Sequence, residues 1–193
     1  MRNILIIQGH PDAAPHYGHA LAQAYREAAR HAGHAVREID VAQLEFPLLR
    51  SKQDFENGSP PDPIRGAQEA IAWAGHIVIF YPLWLGSMPA LLKGFLEQVF
   101  RPGFALPEGK NRLPWKKRPG GRSAHIVITM GMPALFYRWY FRAHSLKSLE
   151  RNILGFCGIR TVRESLVGLV EALDGAARQK WLYRMANLGM AAK

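Results

Sequence analysis

Cysteine is almost missing from this chain: Cys157 stands alone among 193 residues. One thiol cannot close an internal disulfide, so a reducing cytoplasm is the simplest setting. Cys157 lies among Leu154, Phe156 and Ile159 and reads as a small buried hydrophobe, not a nucleophile. No run of about eighteen apolar residues occurs, so no helical membrane span is expected. Met1-Arg2-Asn3 leads straight into an apolar stretch without a secretory leader pattern. Glycine patterns for phosphate are missing too. The turn after the first apolar stretch holds only Gly9 and Gly18, which is neither a Walker loop nor a dinucleotide fingerprint. Acidic residues are scarce, 15 against 25 Lys and Arg, giving a formal charge of +10. Such a balance attracts nucleic acid, anionic membrane surfaces and anionic cofactors alike. Much of the excess sits in 110–122, whose Pro and Gly punctuation reads as an exposed loop. Nucleic-acid binding is the weaker reading, because no recognised motif accompanies the charge. Repeats, low-complexity tracts and linkers are absent, so residues 1–193 are read as one domain, with no metal site expected.

What the sequence does have is one organising stretch, 77–100. Ile77-Val78-Ile79-Phe80-Tyr81 is a continuous apolar run, the pattern of a strand buried on both faces of a parallel sheet. Met88, Leu91, Leu92, Phe95, Leu96, Val99 and Phe100 mark one face of a helix, and Pro89 suits its first turn. The short loop between them holds Pro82, Leu83, Trp84, Leu85 and Gly86. Open parallel sheets bind ligands at this end of their strands. An apolar, aromatic loop there suits a flat ring lying against the backbone; the plainer reading is that Trp84 and Leu85 cap the core.

The rest of the chain repeats the strand–helix alternation. Strands are expected at 3–7, 35–41, 124–129 and 159–166, with helices from 17 to 32, from Asp62 to Ala74, over 136–156 and after Asp174. The interval 44–61, with four prolines and glycines, reads as a long loop. Five strands alternating with helices predict a doubly wound parallel sheet with helices on both faces and the order 2-1-3-4-5. His10, His16, Tyr17 and Gly18 fall between the first strand and its helix, where backbone N–H groups and the helix dipole favour phosphate. His19 is taken as a plain surface residue.

Three loops then carry a resemblance that covers nearly the whole chain. Tyr81 to Phe95, Gly9-His10-Pro11 with Tyr17, and Thr129-Met130-Gly131 with Tyr137 beyond them are similar to the flavodoxin-like NAD(P)H:quinone oxidoreductases. The resemblance implies a flavodoxin-like fold, a non-covalent FAD or FMN, NAD(P)H as co-substrate, and a quinone or similar acceptor. It assigns the phosphate end of the flavin to His10, His16, Tyr17 and Gly18. It assigns the ring to Pro82, Leu83, Trp84, Leu85 and Gly86, and the ring's far side to Thr129, Met130 and Gly131. Tyr137 and His144 become candidates for stabilising charge on the ring or supplying a proton, although an aromatic stripe is more often core or interface. A homodimer through the aromatic segment 136–141 is implied as well. Some members of the family serve ion transport systems as ancillary subunits, which is the alternative function. The chain departs from the family at two places. A hydroxyl residue and an Asn are replaced by His16 and Gly18, and the usual Thr-Thr-Gly-Gly reads Thr129-Met130-Gly131-Met132.

Overall fold

The computed structural model describes residues 1–104 and 121–193. Five strands form one parallel sheet: β1 (Asn3–Gln8), β2 (Ala35–Asp40), β3 (His76–Pro82), β4 (Ser123–Thr129) and β5 (Arg160–Val167). The spatial order is β2-β1-β3-β4-β5, as the pattern predicted. The apolar runs took the inner places. Ile4–Ile7 and Ile77–Tyr81 are buried on both faces, and Ile79 lies level with Ile7 on one side and Ile126 on the other. The edge strands carry the charges, with Arg37 and Glu38 exposed in β2 and Arg160 exposed in β5. Charge on an edge discourages pairing with further strands.

Two-residue periodicity divides the core between the faces. One face takes Leu5, Ile7, Ile77, Ile79, Tyr81, Ala124, Ile126 and Ile128. It is covered by α3 (Asp62–Trp73), α4 (Ala90–Val99) and the helical segments after β4. The other takes Ile4, Ile6, Val78, Phe80 and Val127, covered by α1 (Tyr17–His31) and α7 (Gly175–Met190). These two helices lie backbone to backbone. A Cβ on Gly189 would stand 2.2 Å from the carbonyl oxygen of Tyr25, so only glycine fits. Asp174 caps α7 as expected, its carboxylate accepting the N–H of Ala177 at 2.7 Å.

Two expectations are corrected. The interval 44–61 is not all loop: Lys52–Asn57 form a short helix, α2, with the Ser51 hydroxyl accepting the N–H of Asp54. Arg101 holds α2 in place, its guanidinium donating to the carbonyls of Asp54 (2.6 Å) and Gly58 (2.8 Å) and to Gln98. The long helix expected over 136–156 is broken. It becomes α5 (Ala134–Trp139), then α6 (His144–Lys147) running into a π-helical stretch, Ser148–Gly155. The break falls at Arg142 and Ala143, whose φ angles are +51° and +50°. Neither is glycine, so local sequence gives no stop signal there, and tertiary contacts hold the corner. The Tyr137 hydroxyl pairs with Ser145 Oγ at 2.8 Å and accepts the Leu146 N–H at 3.2 Å. Most of the basic loop 110–122 lies outside the described residues. Arg122 is described, and its guanidinium anchors the start of β4 to the Ala72 and Ala74 carbonyls.

Candidate functional site

The connections after β1, β3 and β4 lie at the carboxyl ends of three adjacent strands. In the loop after β3, Leu83 donates its N–H to the Thr129 carbonyl at 2.8 Å, which ties this loop to β4. Trp84 and Ser87 then exchange two backbone hydrogen bonds, both 2.9 Å. Leu85 and Gly86 between them have φ of +47° and +77°, the signs required by a tight two-residue I′-type turn. A leucine in this region is uncommon and strained, and such residues gather at ligand clamps. The Trp84 side chain is 49% exposed and Leu85 fully so, while Met88 and Pro89 bury the loop's exit. Exposure decides between the two readings of this loop: Trp84 does not cap the core. Among the described residues nothing accepts the N–H of Leu85 or Gly86.

The loop after β1 is made of side chains. His10 stacks on His16 with ring centroids 3.8 Å apart, and His19 lies 5.5 Å from one and 5.7 Å from the other. The Trp84 ring meets His10 edge-on at 5.8 Å, so the two loops touch. Asp12 organises the turn: Oδ2 lies 2.9 Å from His16 Nε2 and Oδ1 accepts the Ala14 N–H. These bonds, the backbone one foremost, hold the Asp12 carboxyl below its usual range. Burial and the neighbouring His16 lower the His10 pKa. Sequence reasoning missed Asp12 and His19. The signal for His19 was its place three residues after the N-cap His16, from which Nδ1 accepts the His16 N–H at 3.2 Å.

Other expected residues have different work. Tyr17 links α1 to α7: its hydroxyl donates to the Arg178 carbonyl at 2.7 Å and the Arg178 guanidinium lies 4.8 Å over its ring. Gly18 sits at the start of α1 with open space where a Cβ would stand. In the loop after β4, Gly131 is exposed, and Thr129 is buried beneath it. Met130 belongs to the core. Its side chain is buried, its N–H donates to Val167 and its carbonyl accepts from Val170. It therefore offers no thioether to a ligand. A close approach fixes this loop: a Cβ on Gly168 would lie 2.4 Å from the Ala134 nitrogen.

Tyr137, expected at the site, is 1% exposed, with its hydroxyl committed to Ser145 and Leu146. His144 is exposed at the start of α6, and no described residue bonds its ring. Burial raises the Cys157 pKa to about 12, consistent with an inert thiol. A groove of about 1030 Å³ runs along the β2 edge. Arg26 pairs with Glu38 there at 2.5 Å and Gln43 donates to Asp40 at 2.7 Å, while Arg30 also lines the groove and Arg37 lies over the Trp73 ring.

Fold and loops together define a doubly wound α/β domain with its ligand face at the carboxyl ends of β1, β3 and β4. Residues 2–187 match the family described as having a flavodoxin-like fold. A Haemophilus influenzae protein described as an uncharacterized NAD(P)H oxidoreductase is 30% identical over 189 residues, covering 92% of this chain and 89% of that one. The chain belongs to this family of flavodoxin-like fold, together with a relative described as an NAD(P)H oxidoreductase. Solved structures share the fold. An NAD(P)H:quinone oxidoreductase from Methanothermobacter marburgensis superposes with TM-score 0.80 at 24% identity, covering 100% of this chain and 99% of that one. An FMN-dependent NADH-azoreductase from Bacillus anthracis, in complex with FMN, gives 0.72 at 17%, with the same coverage.

Proposed function

We propose that this protein is a flavin-dependent oxidoreductase that passes two electrons, as hydride, from NAD(P)H to a quinone or similar small acceptor. The observation that carries this is the Trp84–Ser87 turn: a backbone-braced, exposed apolar platform with free N–H groups, touching an imidazole cluster at the end of β1. That combination fits a flat heteroaromatic ring with a phosphate tail. Bound flavin, FAD or FMN, supplies the hydride chemistry. Trp84 and Leu85 would cover one ring face and the N–H groups of Leu85 and Gly86 would reach its edge. Gly131 would leave room on the far side. His10, His16 and the first N–H groups of α1, at Tyr17 and Gly18, would hold the phosphate end. Tyr137 acts here by positioning the α5–α6 corner, which leaves His144 as the side chain able to move a proton.

The relatives support this reading: one is described as an NAD(P)H oxidoreductase and a structural neighbour holds FMN. Leu135, Phe136, Trp139 and Tyr140 form an exposed aromatic face in which Phe136 stacks on Tyr140 at 4.9 Å. A face of this kind suits a two-fold homodimer with the sites at its boundary. No helix among the described residues is long and apolar enough to cross a membrane; the cytoplasmic assignment we propose draws on the single cysteine. A second reading, an ancillary subunit of an ion transport system, draws on a shorter match. The potassium-efflux ancillary protein KefG of Escherichia coli is 36% identical over 73 residues, 37% of this chain. Purified protein mixed with FAD or FMN should quench flavin fluorescence, and NADH or NADPH should then bleach the bound flavin. Absence of quenching with either flavin refutes the proposal; binding without bleaching favours the ancillary reading.

A further inference from the structure

His10, His16 and His19 place three imidazoles within 5.7 Å of one another in the loop that ends β1. Among the described residues no group of His, Cys, Asp or Glu is arranged to hold a metal ion. Its chemistry is that of protons and anions. Among the described residues the counter-charge bonded to the cluster is the Asp12 carboxylate, and it is spent on His16 at 2.9 Å. His19 accepts the His16 N–H through Nδ1, so its proton sits on Nε2, a buried atom with no partner.

His10 has a geometry that serves both of its protonation states. Its Nδ1 lies 3.1 Å from the Asp12 nitrogen and 3.0 Å from the Asp12 oxygen. A neutral ring accepts from the amide; a cationic ring donates to the carbonyl. The amide and the carbonyl belong to the two peptides that flank the Asp12 Cα, and both lie within hydrogen-bond reach of the same ring nitrogen. Burial and His16 keep the free protein on the neutral side, and an anion beside the ring would reverse that preference.

We propose that this cluster is a proton-coupled phosphate site, in which His10 takes up a proton from solvent as the phosphate end of the flavin binds. The proposal rests on the flavin reading above. It makes recognition of the phosphate pH-dependent while recognition of the ring is not. The groups that face His10 are few. Its own loop supplies Asp12, His16 and His19, and the β3–α4 loop supplies only the uncharged Trp84. From α7, the Arg178 guanidinium lies over the Tyr17 ring.

The test is fluorescence titration of the flavin-free protein with FAD and with riboflavin, between about pH 5.5 and 8.5, the range that brackets the ordinary histidine value. The FAD diphosphate keeps its charge over this range, so any slope belongs to the protein. FAD affinity should fall with rising pH, approaching about tenfold per pH unit for one linked proton, while riboflavin affinity stays flat. His10→Gln should flatten the FAD slope, with circular dichroism showing that the variant is folded at each pH. Equal slopes for FAD and riboflavin, or an FAD slope that survives in His10→Gln, overturn the proposal alone. Failure of every flavin to bind overturns the flavin reading and this proposal with it.

Discussion

The loops that end β1 and β3 lie side by side, yet they are built on opposite plans. After β3, shape is set by the backbone: a paired turn from Trp84 to Ser87, two left-handed residues, and a tie from Leu83 to Thr129. After β1, shape is set by ionisable side chains, with Asp12 and three histidines holding one another. A backbone-built loop is indifferent to pH and presents a fixed surface. A loop built from imidazoles changes its charge near neutrality. On the reading proposed above, the two ends of one flavin would be held by different physics.

Acid is the severest challenge to that contrast, because it also reaches the core. His76 and His125 are fully buried within the sheet, each bonded on one side to a serine, at 2.7 Å and 3.0 Å, with the other nitrogen unpartnered. Burial is the main cause that lowers their pKa values to about 4 and about 3. Unfolding returns both toward the usual value of about 6.5, so the unfolded chain binds more protons in this window. Their contribution is complete above about pH 6.5 and is lost as pH falls toward the folded values, by an order of a few kcal/mol for the pair. Urea midpoints at pH 7.5 and 4.5 measure it. Equal midpoints would show that the buried rings do not resist protonation.

A narrower challenge is Trp84→Ala. Losing an aromatic platform should weaken FAD and riboflavin alike, by about 10- to 100-fold, since stacking is worth roughly 1–3 kcal/mol per ring. Stability should change by less than about 1 kcal/mol, because the side chain is half exposed; a buried tryptophan would cost about 3–5. Thermal melts with flavin titrations separate these outcomes, and a core-sized loss of stability would return Trp84 to the core. The smallest expected effect concerns Tyr137→Phe. Removing its hydroxyl strands the Leu146 N–H and should cost about 1–3 kcal/mol of stability. Stopped-flow reduction by NAD(P)H should slow by less than the roughly 100-fold that marks a lost acid–base group. A slowing beyond that would place the tyrosine back in the chemistry, and His144→Ala provides the matching comparison.

These outcomes track what the sequence could reveal. Runs such as Ile77–Tyr81 announce a doubly buried strand, and five of them in alternation with helices leave few ways to wind a sheet. The loop from Pro82 to Gly86 was legible because its chemistry is carried by residue type. The corner at Arg142 and Ala143 was not, because no glycine marks it and its stabilising bond comes from a tyrosine several residues earlier. The same bond explains why Tyr137 reads as a site residue and folds as an interior one. Met130 misled for a related reason: periodicity says that it is apolar but not that the turn points it inward. The role of Asp12 and His19 depends on a loop folding back on itself, which has no period to detect.

The close fit of Gly189 against Tyr25 has a consequence in time. The phosphate loop feeds directly into α1, and the covering of α1 comes from α7 at the far end of the chain. A ribosome makes the histidine loop well before the helix that shelters its neighbour. Over the intervening synthesis Leu21 and Tyr25 must wait uncovered, while the β3 loop already has α4 following it directly. At roughly 5–20 residues per second that wait spans many seconds. On the proposed reading, the histidine half of the site is thus also the half that waits longer for its cover.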